Sequence, residues 1–157
     1  FDTEHDSRDL REEIVNHSSG RLKVAPEHAE DHVVSVMRRH GFGSFEKLNP
    51  DFRSVCYGEG LNYQLIPYFI ASHPGCTEED MKKLAAKTQK LNFRLEQVQD
   101  LTPTPITLSS VMFYTGMDPY TGRKLYVARS QEDKRKQKSY FFTGNDSRHK
   151  QAPRKKK

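Results

Sequence analysis

Three short strand-like runs, separated by stretches with helical periodicity, set the pattern of the chain. The runs are Arg21–Ala25, Gln64–Ala71 and Phe93–Gln99, and the middle one is apolar nearly throughout, as expected for a strand covered on both faces. Between the runs, apolar residues recur every three or four positions, which is typical of helices packed against a sheet. Because no hairpin signal joins the runs, their order predicts parallel strands connected by helices.

The connecting segments carry recognisable helix signals. Glu30–Arg39 places its apolar residues on one helical face. Farther along, Pro50 interrupts a helical pattern, which predicts a break at Asn49 and a new helix after it. Thr77 with Asp80 three residues later resembles a capping box, and so predicts a helix directly after the second strand.

The last third of the chain has a different character. Val111–Thr115 and Lys124–Ala128 flank a segment that contains Asp118-Pro119 and a glycine at either end, so this region predicts a small antiparallel hairpin. Ser130 predicts the start of a last helix that reaches Phe142. From residue 143 onward the chain is polar and basic, which favours a disordered tail.

The charge is unevenly distributed along the 157 residues, whose net charge is +5. Residues 129–157 hold 11 Lys or Arg and three acidic residues, so the rest of the chain is mildly acidic. One functional alternative is a non-catalytic binding module that contacts RNA through this basic tail. Such a module favours a basic body studded with aromatic residues, and therefore we do not expect a nucleic-acid partner. No apolar run approaches a membrane span and no signal segment is present, so no membrane partner is expected either.

Residues that could carry chemistry follow the end of the first strand. Glu27 and His28 come directly after Pro26, at the edge where parallel sheets bind ligands. They could orient the hydroxyl groups of a ligand or exchange a proton. The alternative is that Glu27 offsets a helix dipole and that His28 is solvated.

The second strand is followed by Ser72-His73-Pro74-Gly75-Cys76. A small residue and a glycine allow backbone groups to approach a ligand closely, and His73 adds a titratable group. The alternative is a tight turn before a helix, with His73 merely exposed.

The third strand places Leu95, Gln97 and Gln99 on one side. Polar side chains in a buried strand need partners, which makes Gln97 and Gln99 candidate binding residues. The alternative is that this side of the strand faces solvent or a missing segment.

The two cysteines, Cys56 and Cys76, lie 20 residues apart with no other cysteine nearby. Iron–sulfur and zinc sites usually need closely spaced thiolates, so we expect that this chain alone holds no metal and forms no cluster when it is treated with iron and sulfide. Cys76 begins a helix and could be an activated thiol, the alternative being a packed or capping residue. Two cysteines without a disulfide framework favour a reducing, cytoplasmic location.

Four segments closely resemble the YgiQ-type radical S-adenosylmethionine proteins, and the resemblance extends in order over about residues 8–142. They are Ser19–His28, Gln64–Thr77, Glu96–Pro105 and Phe113–Gly122. The resemblance implies a (β/α)₆ partial barrel that binds a [4Fe–4S] cluster and S-adenosylmethionine, whose reductive cleavage gives a 5′-deoxyadenosyl radical. The family's CxxxCxxC cluster loop is absent from this sequence. The chain is therefore similar to the later half of the barrel with the start of the C-terminal extension, and alone it should be inactive.

The resemblance sets the expected fold class and partners. It implies an α/β fold, namely a partial (β/α) barrel fragment of about three parallel strands with covering helices, plus a small hairpin and a basic tail. The expected divisions are 1–105 for the barrel part, 106–142 for the hairpin and helix of the extension, and 143–157 for the tail. The missing N-terminal half of the barrel is the expected partner, and the sheet face that it would cover predicts self-association of the isolated chain.

The resemblance also assigns roles at the strand ends. It implies that the loop after Ala25 helps to hold the nucleoside, that the turn after the second strand approaches the cofactor, and that the third strand's glutamines face the barrel interior. The expected cofactor-binding residues are Glu27, His28, Ser72, His73, Gly75, Gln97 and Gln99.

Overall fold

A computed structural model, which describes residues 5–91 and 98–142, contains one open sheet of three parallel strands. The strands β1 (Arg21–Glu27), β2 (Gln64–Ala71) and β3 (Val98–Asp100) lie side by side in that order. Both strand pairs are parallel, which confirms the predicted α/β fold. Six α-helices accompany the sheet in the described residues: α1 (His5–Glu12), α2 (Asp31–Met37), α3 (Gly43–Gly58), α4 (Glu78–Lys90), α5 (Leu108–Thr115) and α6 (Gln131–Phe142).

The first strand contains an irregularity near its carboxyl end. Val24 pairs with Pro67 and Glu27 pairs with Phe69, so two residues of β1 oppose one residue of β2 between these pairs. Pro26 lies inside this bulge, where its missing N–H removes no regular ladder bond. The strand therefore continues to Glu27 instead of ending before Pro26.

One face of the sheet carries the main core. Phe69 and Ala71 of β2 and Val98 of β3 pack against side chains from the covering helices. The helical partners are Val33, Phe45, Met81, Leu84, Ala85 and Phe141. The predicted arrangement of helices over one face of a parallel sheet is thus present.

The opposite face is open and partly polar. Lys23 is the register partner of Ile66, and Gln99 is the partner of Ile70. Lys23 and Gln99 are both exposed, and the Lys23 ammonium lies 5.7 Å from the centroid of the Tyr68 ring. A sheet face with these exposed polar residues contacts either solvent or another part of a longer polypeptide.

A single helix crosses the position of the predicted break. Pro50 lies inside α3 and is exposed, while Phe45 and Phe52 on either side are buried in different apolar clusters. A proline inside a helix costs about 3 kcal/mol. Burial of two phenylalanines offsets that cost, so the predicted break at Asn49 was wrong.

The predicted hairpin was also wrong, because its first strand is the helix α5. Thr107 accepts a hydrogen bond from the N–H of Ser110 at 3.3 Å, and Gly116 ends the helix with a φ of 69°. Both end signals lie outside the run Val111–Thr115 that suggested a strand. In the described part of the chain, the only antiparallel pairing is an isolated bridge between Met117 and Lys124.

The last helix begins where the sequence places it. The Ser130 hydroxyl accepts a hydrogen bond from the N–H of Asp133 at 3.0 Å, and α6 reaches Phe142. It packs on α4 and on the ends of β2 and β3. No helix among the described residues is both long enough and apolar enough to cross a membrane.

Parts of two predictions lie outside the described residues. Most of the predicted third strand, including Gln97, lies outside them. The predicted basic tail from residue 143 also lies outside them.

Candidate functional site

The carboxyl ends of the three strands meet at one edge of the sheet. β1 ends at Glu27, β2 is followed directly by Ser72, and β3 ends at Asp100. Ala71 and Asp100 are register partners, so the residues at these positions are neighbours across the strands. The edge therefore brings together Glu27, Ser72 and Gln99 of the predicted site.

Ser72 combines an unfavourable backbone conformation with an unpartnered hydroxyl. Its φ is 62°, its side chain is fully buried, and its Oγ has no hydrogen-bond partner in the part of the chain that the structure describes. A left-handed conformation costs a non-glycine residue about 1–2 kcal/mol, and a buried polar atom without a partner costs about 1–3 kcal/mol. Costs of this kind persist mainly at functional sites, which makes Ser72 the strongest binding candidate.

Asp100 is a second candidate at the same edge, and the sequence analysis missed it. Its Oδ2 pairs with the Lys138 ammonium at 2.6 Å, whereas its Oδ1 is buried without a partner among the described residues. The sequence did contain a signal for this candidate, namely an acidic residue at the end of a buried strand. Two adjacent strand ends thus each hold a buried polar oxygen that a ligand could satisfy.

His28 is a neutral core residue, not a solvated one. Its Nδ1 accepts a hydrogen bond from the Glu30 N–H at 3.1 Å, so the ring proton lies on Nε2, which is 3.5 Å from the Cys76 sulfur. Burial lowers the pKa of His28 to about 4, although the Asp80 carboxylate opposes this effect. Both ring nitrogens already face protein atoms.

His73 is likewise buried instead of exposed. Its Nδ1 lies 2.8 Å from the Pro74 carbonyl and its Nε2 lies 2.9 Å from the Ser109 hydroxyl. Because a carbonyl can only accept, Nδ1 carries the proton and Ser109 donates to Nε2. Burial lowers the pKa of His73, so this imidazole is neutral near pH 7.

Gly75 is surrounded by protein atoms. Its φ is 88°, and a Cβ added there would lie 3.5 Å from Val36 Cγ2 and 3.7 Å from Leu125 Cδ2. The Gly75 N–H donates to the Tyr126 carbonyl at 2.8 Å. The space that glycine leaves open is therefore used for packing between α2 and the segment after α5.

The remaining predicted residues are more accessible. Glu27 has a φ of 61°, and its carboxylate lies 3.4 Å from the Arg39 guanidinium in a partly exposed ion pair. Gln99 is exposed on the open face of the sheet. Glu27 and Gln99 can thus meet a ligand without breaking core contacts. Ser72 lies buried beneath this edge, and His28 and His73 would first have to leave their present partners.

Glu30, His32 and Asp80 bring potential ligand atoms within 4.8 Å of one another. The Asp80 Oδ2 lies 3.2 Å from His32 Nε2 and also accepts from the N–H and the hydroxyl of Thr77, at 2.8 and 2.7 Å. The bond from the Thr77 N–H to Asp80 and the reciprocal bond from the Asp80 N–H to the Thr77 hydroxyl, at 3.3 Å, form the predicted capping box of α4. Since both helix N-termini point their partial positive charges here, the cluster is accounted for as a link between α2 and α4.

Cys76 does not have the setting of an activated thiol. It is fully buried, and burial raises its pKa to about 12. Cys56 is also buried with a raised pKa, in a different apolar cluster with Ile14 and Phe52. The alternative of a packed residue thus fits Cys76 better.

Cys76 is expected to resist alkylation while the protein is folded, because neither access nor thiolate is available. Iodoacetamide treatment near pH 8, followed by mass spectrometry, should label it only after guanidinium is added. Rapid labelling of the folded wild-type protein would contradict this prediction.

Comparison with known proteins identifies several relatives of the chain. Residues 96–149 match the family described as Domain of unknown function (DUF3362). A UPF0313 protein of Porphyromonas gingivalis is 54% identical over 82% of this chain and 20% of its own length. UPF0313 proteins of Bacteroides thetaiotaomicron and Geobacter sulfurreducens are 53% and 44% identical over 84% and 85% of the chain, which corresponds to 21% and 22% of those proteins.

These relatives of the chain are all UPF0313 proteins. UPF0313 is the YgiQ-type group, so the family part of the resemblance is supported. The chain spans about a fifth of the length of the curated relatives that it matches. The names of these relatives state no reaction and no cofactor.

Proposed function

We propose that this chain is the later part of the barrel of a radical S-adenosylmethionine protein, and that the carboxyl edge of its sheet contributes contacts to the cofactor. The observation that carries the proposal is the buried hydroxyl of Ser72, which has no partner among the described residues and directly follows the central parallel strand. The carboxyl edge is where parallel α/β folds bind their ligands.

Two further features support the proposal. The sheet is open, with a partly polar face that carries Lys23 and Gln99, as expected if further strands complete a barrel. The UPF0313 relatives are about five times as long as the matched segment, so the remaining chain is long enough to supply those strands and the cluster loop.

The residues of this chain fit S-adenosylmethionine but not the [4Fe–4S] cluster. The buried oxygens of Ser72 and Asp100 would hold polar groups of S-adenosylmethionine, with Glu27 beside them at the end of β1. When bound, the cofactor supplies the chemistry of hydrogen abstraction, and the barrel supplies orientation and exclusion of water. Cys56 and Cys76 lie in separate apolar clusters and do not fit a [4Fe–4S] cluster, which the missing part of the barrel would bind.

Ser72→Ala is expected to have opposite effects on stability and on binding. In this chain, removal of the unsatisfied hydroxyl should raise the free energy of unfolding by about 1 kcal/mol. In the full-length protein, with its cluster reconstituted anaerobically, the same substitution should weaken S-adenosylmethionine binding roughly tenfold. Urea unfolding and calorimetric titration measure the two effects.

The matched control is Ser54→Ala, because Ser54 lies exposed on α3. It should leave binding unchanged and raise the free energy of unfolding by no more than about 0.5 kcal/mol, the gain in helix propensity. A full-length wild-type protein that does not bind S-adenosylmethionine would refute the proposal. So would Ser72→Ala variants that bind the cofactor as tightly as the wild type.

A further inference from the structure

The turn that follows β2 is bonded mainly to residues from the last third of the chain. We call Ser72–Cys76 the site turn. Its one internal backbone hydrogen bond among the described residues runs from the Cys76 N–H to the His73 carbonyl, at 2.9 Å. Ser72 and Gly75 both have a positive φ. Inside the turn, His73 Nδ1 also donates a hydrogen bond to the Pro74 carbonyl, at 2.8 Å. A turn with two left-handed residues and so few internal bonds needs outside contacts to hold one conformation.

Gln137 of α6 supplies two of those contacts. Its Oε1 accepts a hydrogen bond from the Ser72 N–H at 2.9 Å, and its Nε2 donates to the Cys76 carbonyl at 3.1 Å. Gln137 is 1% exposed. One amide thus satisfies the first N–H and the last carbonyl of the site turn, and its orientation is determined by those two partners.

Two other residues from the last third of the chain form hydrogen bonds with the middle of the site turn. The Ser109 hydroxyl donates to His73 Nε2 at 2.9 Å, and the Tyr126 carbonyl accepts from the Gly75 N–H at 2.8 Å. Every residue of the site turn except Pro74 is therefore bonded to residues 106–142, which lie within the segment that matches DUF3362.

The last helix is also anchored independently of Gln137. Tyr140 donates to the Glu78 carboxylate of α4, and the Lys136 ammonium lies 2.8 Å from the same carboxylate. Phe141 of α6 is buried in the main core. A change at Gln137 should therefore leave α6 in place and alter the site turn alone.

We infer that residues 106–142 position the site turn and that Gln137 is the positioning residue. The inference deepens the proposed function and rests on it for the role of the turn in cofactor binding. It assigns the extension a role at the carboxyl edge of the sheet, where it fixes the direction of the Ser72 side chain without contacting the ligand itself.

Hydrogen exchange in this chain tests the positioning role without any cofactor. Gln137→Met keeps the side-chain length but removes both hydrogen bonds, so the Ser72 amide should lose protection about tenfold or more, while the core amides of β2 stay protected. Gln131→Met is the matched control, because Gln131 is exposed at the start of the same helix. Unchanged exchange at Ser72 in Gln137→Met would overturn the inference.

Gln137→Glu separates a hydrogen-bonding role from simple packing. A protonated Glu at this position can accept from Ser72 and donate to the Cys76 carbonyl. An ionised Glu can still accept from Ser72, but its carboxylate repels the Cys76 carbonyl instead of donating to it, and burial raises its pKa. Protection of the site turn, taken relative to the wild type, should therefore be restored near pH 5.5 and fall near pH 8. A Glu variant that behaves like the Met variant at both pH values would overturn the hydrogen-bonding role.

Cofactor affinity then tests the link to function. In the full-length protein, Gln137→Met should weaken S-adenosylmethionine binding about tenfold, while Gln131→Met should leave it unchanged. Affinity that is unchanged although exchange has increased would overturn the role of Gln137 in the site. If the wild type binds no S-adenosylmethionine, the proposed function fails, and the exchange measurements still decide whether Gln137 positions the turn.

Discussion

Phe69→Ala is expected to lower the free energy of unfolding by about 3–5 kcal/mol, the typical cost of a phenylalanine-to-alanine cavity in a core. Phe69 is fully buried in the middle strand, and its ring centroid lies 6.4 Å from that of Phe42. Its register partners are Glu27 on β1 and Val98 on β3. The cavity would therefore open between the middle of the sheet and its covering helices, directly before the edge that carries Ser72.

The matched control is Tyr57→Ala, because Tyr57 is 92% exposed on α3 and should change stability by less than about 0.5 kcal/mol. Urea unfolding followed by circular dichroism measures both variants. Phe69→Leu should fall between the wild type and Phe69→Ala, since it leaves a smaller cavity. A Phe69→Ala variant as stable as the wild type would mean that the strands do not pack as described.

Local patterns were sufficient to predict the sheet. The second strand agrees at both ends with the apolar run Gln64–Ala71, and Thr77 and Asp80 form the capping box that their spacing indicates. These signals depend on residues close together in the chain. Parallel order followed from the alternation of strands and helices, which requires no knowledge of side-chain contacts.

The errors arose where distant packing or neighbouring residues decide the structure. Pro50 remains inside α3 because Phe45 and Phe52 are buried on either side of it, a tertiary effect that propensity cannot show. The run that suggested a strand before Gly116 is helical because Thr107 caps it from outside. A search for helix ends around that run would have found both signals.

The candidate site was predictable in position but not in detail. Parallel strands predict that their carboxyl ends converge, and Glu27, Ser72 and Gln99 lie at that edge. The same pattern could not show that His28 and His73 face Cys76 and Ser109 inside the core, because those partners lie 36 or more residues away. Gln137 was missed for the same reason, since a glutamine in a polar helix has no local mark of burial.

The buried histidines should make the protein sensitive to acid well above the range in which carboxylates titrate. The pKa of His28 is lowered from 6.5 to about 4 by burial, and burial also lowers the pKa of His73. Below about pH 6.5, the unfolded chain binds protons at these rings that the folded protein does not bind. Their contribution to stability is therefore complete above pH 6.5 and is lost as the pH falls toward 4.

From the His28 shift alone, the free energy of unfolding should fall by about 3 kcal/mol between pH 7 and pH 4, since one pKa unit corresponds to about 1.4 kcal/mol. For Asp80, burial raises the pKa, but hydrogen bonds from Thr77 and His32 lower it further. Its contribution to stability is therefore lost only as the pH falls below 3.8, the ordinary pKa of an aspartate. Urea unfolding at pH 7, 6, 5 and 4 measures the slope. In His28→Gln the slope should flatten, even if stability at pH 7 is lower, whereas His40→Gln, at an exposed position, should keep it. A wild-type-like slope in His28→Gln would show that His28 is not held neutral in the core.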